Sequence, residues 1–175
     1  MKKPQVSIVM GSDSDLEVMQ DAHKVLQELE IESETLILST HRVPAETAKF
    51  AKSAKARGIK VIIAGAGGAA ALPGSIASFT ALPVIGVPIM TKSLDGLDSL
   101  LSVVQMPPGV PVASVGINSA KNAGLLAAEI IGAGDPKIHQ KLLAYKSKMA
   151  KEVLSKNSKL QKLGIQKYLR EKRAK

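Results

Sequence analysis

Short apolar runs alternate with longer amphipathic segments along most of this chain. Five of the runs have the length and the β-branched content of buried strands. They are predicted at residues 6–10, 35–38, 61–64, 84–87 and 112–115. An amphipathic segment follows each run, so the sequence predicts a series of β-strand and α-helix units.

Residues that start and stop helices mark the segments between the strands. Ser14 and Glu17 have the spacing of a capping box, which predicts a helix from about Asp15. Pro44 suits the first position of a helix that runs towards Gly58. Further helices are predicted after the glycine-rich residues 65–68, over 94–104, over 122–131 with Gly132 as the stop, and from 135 onward.

This alternation predicts an α/β fold with helices on both faces of a parallel sheet. We expect a three-layer αβα, flavodoxin-like doubly wound sheet in the order 2-1-3-4-5. Residues 1–134 are predicted to form the α/β domain and residues 135–175 a C-terminal helical extension. In such sheets, ligands bind beyond the carboxyl ends of the strands where the strand order reverses. The loops at 11–15, 39–42 and 65–68 are therefore predicted to line one crevice.

Composition narrows the class of protein. The 175 residues are 45% hydrophobic, which is enough for the core of one α/β domain. Two Phe, two Tyr and no Trp leave few aromatic rings for stacking on nucleic acid bases. The absence of cysteine excludes disulfides, thiolate catalysis and thiolate zinc sites. No apolar run approaches the roughly 18 residues of a membrane span, and no signal sequence is apparent, so we expect a cytoplasmic protein without a membrane partner.

The positive charge is concentrated in the C-terminal extension. Residues 137–175 contain thirteen Lys or Arg and two acidic residues, which leaves residues 1–136 with a net charge of −2. A basic tail of this kind can bind nucleic acid through its phosphates. However, the lysines recur among apolar residues such as Leu142, Met149 and Val153, as on an amphipathic helix. This spacing favours a solvated or subunit-packing helix, and no nucleic acid partner is expected.

His41 and Arg42 are the clearest candidates for chemistry. They are adjacent and follow the second predicted strand. An imidazole exchanges protons near neutral pH, whereas a guanidinium holds an anion and keeps its charge. The pair indicates a reaction on a phosphorylated or carboxylated small molecule. The other two histidines, His23 and His139, lie in predicted helices away from the strand ends.

The two other loops each allow a structural and a functional interpretation. Residues 12–15 suit a turn and helix cap, but backbone amides at a helix start also suit a phosphate. Residues 65–71 lack the spacing of a dinucleotide or phosphate-binding loop. Their small side chains either permit close packing of strand and helix or let a flat ring or carbon dioxide approach the backbone.

Six ordered motifs together resemble the 5-(carboxyamino)imidazole ribonucleotide mutase family, the catalytic-subunit type of phosphoribosylaminoimidazole carboxylase. The resemblance extends over nearly the whole chain, including residues 122–128 and the lysine-rich C-terminal helix. The motifs are Met-Gly-Ser-Asp-Ser-Asp at 10–15, Ser-Thr-His-Arg at 39–42, Gly-Ala-Gly-Gly-Ala-Ala at 65–70 with Leu-Pro-Gly at 72–74, Gly-Val-Pro at 86–88, Gly-Leu-Asp-Ser-Leu at 96–100 and Gln-Met-Pro at 105–107.

The resemblance implies a step of de novo purine synthesis without a metal, an organic cofactor or ATP. A carboxylate leaves the exocyclic nitrogen of an aminoimidazole ribonucleotide and is transferred to a ring carbon. His41 is implied to protonate the departing nitrogen and later to remove the ring proton. Carbon dioxide is implied to stay near residues 67–70 between these steps. The implied substrate-binding residues are Ser12, Ser14, Asp15, Ser39, Arg42, Gly67, Gly68, Ala69, Ala70 and Leu72.

The resemblance also implies an assembly. Members of this family form homo-octamers, with active sites near subunit boundaries. The extension over residues 135–175 is implied to pack on a neighbouring subunit, which accounts for its apolar positions.

The chain departs from the family pattern at two positions. Ala71 stands where the family usually has histidine, and Thr40 stands where it usually has alanine. The first change removes a second imidazole near the implied carbon dioxide pocket, which predicts lower activity. Two alternatives to the mutase stay open at this point: a carboxylase that takes carbon dioxide directly, and a ribonucleotide-binding paralogue without catalysis. The residues 65–68 argue against the direct carboxylase, because that branch of the family differs there.

Overall fold

The computed structural model describes residues 3–173 of the chain. Its elements alternate as predicted, and a short 3₁₀ turn, Asp13–Asp15, precedes the first helix. The outermost limits of the two predicted domains, residues 1–2 and 174–175, lie outside the described residues. The strands are β1 (Val6–Met10), β2 (Ser33–Ile37), β3 (Val61–Gly67), β4 (Val84–Ile89) and β5 (Ala113–Ser114), and the helices are α1 (Leu16–Glu28), α2 (Pro44–Ser53), α3 (Leu72–Ala77), α4 (Leu97–Val104), α5 (Ala120–Gly132) and α6 (Pro136–Arg173).

The five strands form one parallel sheet in the order β2-β1-β3-β4-β5. The predicted fold class and strand order are therefore confirmed. The central strands β1 and β4 are buried along their full length, which explains their largely apolar sequences. β1 separates β2 from β3, so the strand order reverses beside β1.

Two hydrophobic clusters cover the two faces of the sheet. One joins β1, β3 and β4 to α1 and α5, with Ile8, Ile63 and Leu26 among its fully buried side chains. The other joins the sheet to α2, α3 and α4 and includes Ile62 and Ile76. Alternate residues of β3 thus face opposite clusters, as the two-residue period of a strand requires.

Several element ends differ from the sequence prediction. β3 continues three residues beyond 64, because Gly65, Ala66 and Gly67 still pair with β4. α4 begins at Leu97 instead of 94, because Gly96 has a φ of 90°, which a right-handed helix cannot include. In smaller shifts, β2 covers 33–37, α2 ends at 53, β5 is reduced to two residues, and α5 starts at 120 and includes Gly132.

The predicted capping box at the start of α1 is wrong. The hydroxyl of Ser12, not of Ser14, caps the 3₁₀ turn by accepting a 3.3 Å hydrogen bond from the Ser14 amide. The Ser14 hydroxyl instead donates to the carboxylate of Asp15 at 3.1 Å. Asp15 itself has helical dihedral angles, and its side chain makes no cap hydrogen bond. The tight turn moves the capping function two residues towards the N-terminus.

The C-terminal extension forms α6, which begins on the α/β body and then leaves it. Ile138 and Leu142 are buried in the cluster with α1 and α5, whereas most residues after 142 are exposed. Gly164 interrupts the helix with a φ of 72°. Lys159 Nζ lies 2.6 Å from Glu171 Oε2 across this break. A straight helix would separate residues twelve apart by about 18 Å, so the segment after Gly164 turns back alongside α6. Within residues 3–173, no helix is both long enough and apolar enough to cross a membrane.

Gly124 permits a close approach between α5 and α1. A Cβ atom at this position would lie 2.9 Å from the carbonyl oxygen of Ala22 and 3.2 Å from its Cα. Alanine usually stabilises a helix relative to glycine by roughly 1 kcal/mol. We expect the opposite for Gly124→Ala, a loss of about 1–3 kcal/mol in the free energy of unfolding, because backbone atoms must move apart. Urea denaturation measures this difference.

Gly132→Ala is the matched control, since Gly132 lies on the same helix. The nearest atom to its added Cβ would be the mobile end of Leu142, at 3.1 Å. We expect a smaller loss for this variant. Equal stability of Gly124→Ala and the wild type would contradict the interpretation of the α1–α5 contact.

Candidate active site

A cleft of about 240 Å³ opens at the carboxyl ends of β1, β2 and β3. This is the point at which the strand order reverses, where α/β sheets commonly bind their ligands. All three loops predicted from the sequence contribute to its wall. The lining residues are Gly11, Ser12, Asp15, Ser39, Thr40, His41, Arg42, Ala66, Gly67, Ala70, Ala71 and Leu72.

Most of the residues selected from the sequence meet in this cleft. Ser14, Gly68 and Ala69 are the predicted site residues that do not line it. The lining residues absent from the predicted set are Gly11, Thr40, Ala66 and Ala71. Each of these four residues is next to a predicted site residue in the sequence. Only this adjacency could have indicated that they line the cleft.

The first loop directs a carboxylate towards the cleft. Asp15 is half-buried, and this burial raises the pKa of its carboxyl group. The hydrogen bond from the Ser14 hydroxyl and a backbone hydrogen bond at Ser12 act in the opposite direction, with a smaller effect. Ser14 therefore contributes to the site indirectly, by holding Asp15.

The second loop forms a tight turn between β2 and α2. The amides of Arg42 and Val43 both donate to the Ser39 carbonyl, at 3.2 and 2.8 Å. Pro44 then begins α2, as predicted. This turn brings two consecutive residues, His41 and Arg42, to the lining of the cleft.

Arg42 joins the first and second loops. Its Nη2 donates to the carbonyl oxygen of Gly11 at 2.5 Å. A guanidinium has five N–H donors arranged in a planar fork, so this bond orients the group and uses only part of its capacity. The imidazole of His41 is exposed, and no hydrogen bond within residues 3–173 holds it. The structure thus places an oriented cation beside an imidazole that is accessible to a ligand.

The second loop is also tied to α3. The hydroxyl groups of Thr40 and Ser75 lie 2.6 Å apart, within hydrogen-bond distance. The Ser75 amide in turn donates to the carbonyl of Ala71 at 2.9 Å. Thr40 and Ala71 therefore both line the cleft and are linked through Ser75.

The third loop, residues 67–71, has a constrained backbone. Gly68 and Ala70 have positive φ angles of 65° and 39°. The Ala70 amide donates to the Gly67 carbonyl at 3.2 Å, which closes a turn. Gly67 and Ala70 border the cleft with almost no side chain, so a ligand can approach the backbone there.

The AIR carboxylase family model matches residues 5–152, more than four-fifths of the chain. The chain belongs to the AIR carboxylase family. Within this family it is similar to the N5-carboxyaminoimidazole ribonucleotide mutase of Thermotoga maritima, with 57% identity over 169 residues that cover 97% of this chain and 99% of that one.

Two further relatives extend the comparison. Phosphoribosylaminoimidazole carboxylase of Candida glabrata is 51% identical over 172 residues, which cover 98% of this chain and 30% of that much longer protein. The crystal structure of Treponema denticola PurE superimposes with a TM-score of 0.82 at 32% identity, covering 90% of this chain and 98% of that one. Membership in the AIR carboxylase family and the fold are thus supported by sequence and by structure.

Other surface features do not bring several candidate loops and strand ends together as this cleft does. A larger groove of about 690 Å³ lies along a single exposed face of α6, lined by Lys148, Lys151 and neighbouring residues. It contains no histidine and no strand end. Within residues 3–173, no three His, Asp or Glu side chains are grouped in a way that could hold a metal ion. The cleft beside β1 is therefore the candidate active site.

Proposed function

We propose that this protein is a mutase of de novo purine biosynthesis that converts 5-(carboxyamino)imidazole ribonucleotide into 4-carboxy-5-aminoimidazole ribonucleotide. The observation that carries the proposal is the meeting of His41, Arg42 and the loop 67–71 in one cleft. The 57% identity to a protein named as this mutase, over 97% of the chain, supports the same reaction.

The charges around the cleft support an assignment of substrate groups. Arg42 is the proposed anchor for an anionic group of the substrate, because guanidinium binds phosphate and carboxylate through paired hydrogen bonds. Ser12 and Ser39, which carry hydroxyl groups, also line the cleft. Asp15 is the proposed acceptor for ribose hydroxyls. Ser14 would act by holding Asp15, to which it is bonded.

The proposed chemistry needs one group that first donates and then accepts a proton. Protonated His41 donates its proton to the exocyclic nitrogen while the bond from that nitrogen to the carboxylate carbon breaks. The electrons of this bond stay on nitrogen, and neutral carbon dioxide is released beside residues 67–70. The ring carbon then forms a bond to carbon dioxide, and neutral His41 removes the proton from that carbon. Substrate and product are isomers, so this scheme needs no ATP, metal or organic cofactor.

The test is an assay of purified protein with the carboxyamino substrate, without ATP and without added bicarbonate. The proposal expects formation of the carboxylated product under these conditions. Product formation only from aminoimidazole ribonucleotide and bicarbonate would instead support the direct carboxylase. Binding of the ribonucleotide without turnover would support a non-catalytic paralogue.

Ala71 leads to a separate prediction about rate. It lines the cleft where the family resemblance expects an imidazole. We expect Ala71→His to raise kcat by roughly fivefold, because one additional hydrogen bond contributes about 1 kcal/mol. Steady-state kinetics measures the change. Ala71→Asn is the control for adding polar bulk without an imidazole, and a rate for folded Ala71→His at or below that of the wild type would contradict the prediction.

We further propose that the protein acts as a cytoplasmic homo-octamer in which residues 135–175 pack on a neighbouring subunit. Exposed apolar side chains on two elements support this assembly. They are Leu97, Leu101 and Val104 on α4, and Met149, Val153, Leu154, Ile165 and Leu169 on α6. Light scattering of the purified protein measures the number of subunits directly.

A further inference from the structure

The backbone N–H and C=O of Gly68, which belong to two successive peptide groups, each contact a hydroxyl group of α4. Ser99 Oγ accepts a hydrogen bond from the Gly68 amide at 2.9 Å. On the carbonyl side, Ser102 Oγ lies 3.3 Å from the Gly68 oxygen and 2.8 Å from the Asp98 oxygen, so it shares its proton between the two. These residues are more than thirty positions apart in the sequence, and the contacts connect α4 to the loop that borders the cleft.

Ser99 is the stronger of the two attachments. It is fully buried, one of the few polar side chains in the interior of the described chain. Its hydroxyl donates to the Ile89 carbonyl at 2.6 Å and accepts from Gly68, so its single proton and one lone pair are both used. Ile89 ends β4, directly beside Gly67 at the end of β3. Ser99 therefore ties the loop to the carboxyl end of β4.

The loop conformation depends on such attachments. Gly68 and Ala70 both have positive φ angles, and an alanine adopts this region only where the surroundings impose it. α3 starts directly after the loop, and Ala70 is buried. The hydrogen bond from the Gly68 amide orients the peptide between Gly67 and Gly68, where the loop leaves β3.

We propose that Ser99 is a positioning residue that acts through Gly68 and keeps the loop 67–71 closed over carbon dioxide between the two halves of the reaction. This inference rests on the proposed mutase function. Ser99 does not line the cleft, so it has no direct contact with the substrate. Its effect is on the shape of the loop wall, and loss of the hydrogen bond lets carbon dioxide escape before the ring carbon captures it.

The test is the product ratio of the Ser99→Ala variant. Escape of carbon dioxide leaves aminoimidazole ribonucleotide, whereas capture gives the carboxylated product. After subtraction of the non-enzymatic decarboxylation, we expect the ratio of aminoimidazole ribonucleotide to carboxylated product to be about tenfold higher than in the wild type. This ratio does not depend on the amount of active enzyme, so partial misfolding does not change it. A wild-type ratio in Ser99→Ala, with or without a lower kcat, would overturn the proposal.

A second measurement separates this inference from the proposed function. Amide hydrogen exchange at Gly68, followed by NMR, is expected to accelerate in Ser99→Ala and to stay unchanged in Ser93→Ala, a control in the exposed loop before α4. Unchanged exchange in Ser99→Ala would overturn the role of Ser99 regardless of catalysis. Absence of turnover in the wild type would instead reject the mutase. If Ser99→Ala does not fold, both measurements are made on Ser99→Cys, whose sulfur is a much weaker acceptor for the Gly68 amide than the Ser99 hydroxyl. The product ratio and the Gly68 exchange rate are both expected to rise above the wild-type values, and wild-type values of both would overturn the proposal.

Discussion

Replacement of His41 by asparagine is expected to reduce kcat by about 10²–10⁴-fold, the range for loss of a general acid–base group. The proposed scheme uses His41 for both proton transfers. Asparagine has a similar shape and keeps hydrogen-bonding capacity, but it cannot exchange a proton at neutral pH. His41 is the only histidine among the described residues that line the cleft, so no other imidazole there can replace it. Stopped assays of product formation measure the loss.

Two controls make this result specific. Calorimetric titration with the product ribonucleotide is expected to show nearly unchanged binding to His41→Asn, since Arg42 and Asp15 remain in place. His139→Asn removes an exposed histidine on α6, far from the cleft in the fold, and should keep the wild-type rate. If His41→Asn retains more than about a tenth of the wild-type kcat, His41 is not the general acid–base group.

Arg42→Met is expected to weaken ribonucleotide binding by roughly 10–100-fold, because a hydrogen bond to a charged group contributes about 1.5–3 kcal/mol. The substitution removes both the proposed anion anchor and the bond from Nη2 to Gly11 that joins two loops. We expect most of the effect in Kd and KM. Arg42→Lys should recover only part of the affinity, because an ammonium group lacks the planar fork.

Isothermal titration with the product measures these affinities. Lys49→Met is the control for loss of one positive charge, since Lys49 is exposed on α2 and does not line the cleft. It should bind the product as tightly as the wild type does. Equal affinity of Arg42→Met and Lys49→Met would contradict the proposed role of Arg42.

The position of the candidate site could be predicted from the sequence, because the ends of the strands are marked by local changes from apolar to small or polar residues. β1 and β3 are apolar runs, and each is followed directly by glycine or small polar residues. In a parallel sheet, all carboxyl ends point to one edge, so the strand order alone brings the following loops together. The residues that line the cleft without having been selected, such as Thr40 and Ala66, are neighbours of selected residues. Their side-chain directions depend on the turn each loop forms.

The exact ends of the helices and strands were harder to predict from the sequence, because they depend on the conformation of individual backbone residues. Nothing in the apolar pattern around Leu94 indicates that Asp95 and Gly96 adopt positive φ angles and delay α4. The spacing of Ser14 and Glu17 predicted a cap, but a 3₁₀ turn placed Ser12 at that position instead. Several conformations satisfy the same local pattern, and packing selects one of them.

By itself, the sequence determined the alternation of strands and helices, the composition of the core and the three loops that carry candidate chemistry. These properties follow from the spacing of apolar residues along the chain and from residues, such as glycine and proline, that strongly favour particular backbone conformations. Only the tertiary structure decided that Arg42 bonds to Gly11, that Thr40 reaches Ser75 and that Ser99 holds Gly68. Each of these pairs is about thirty residues or more apart. Such contacts depend on how the helices pack on the sheet, and a local pattern carries no information about that geometry.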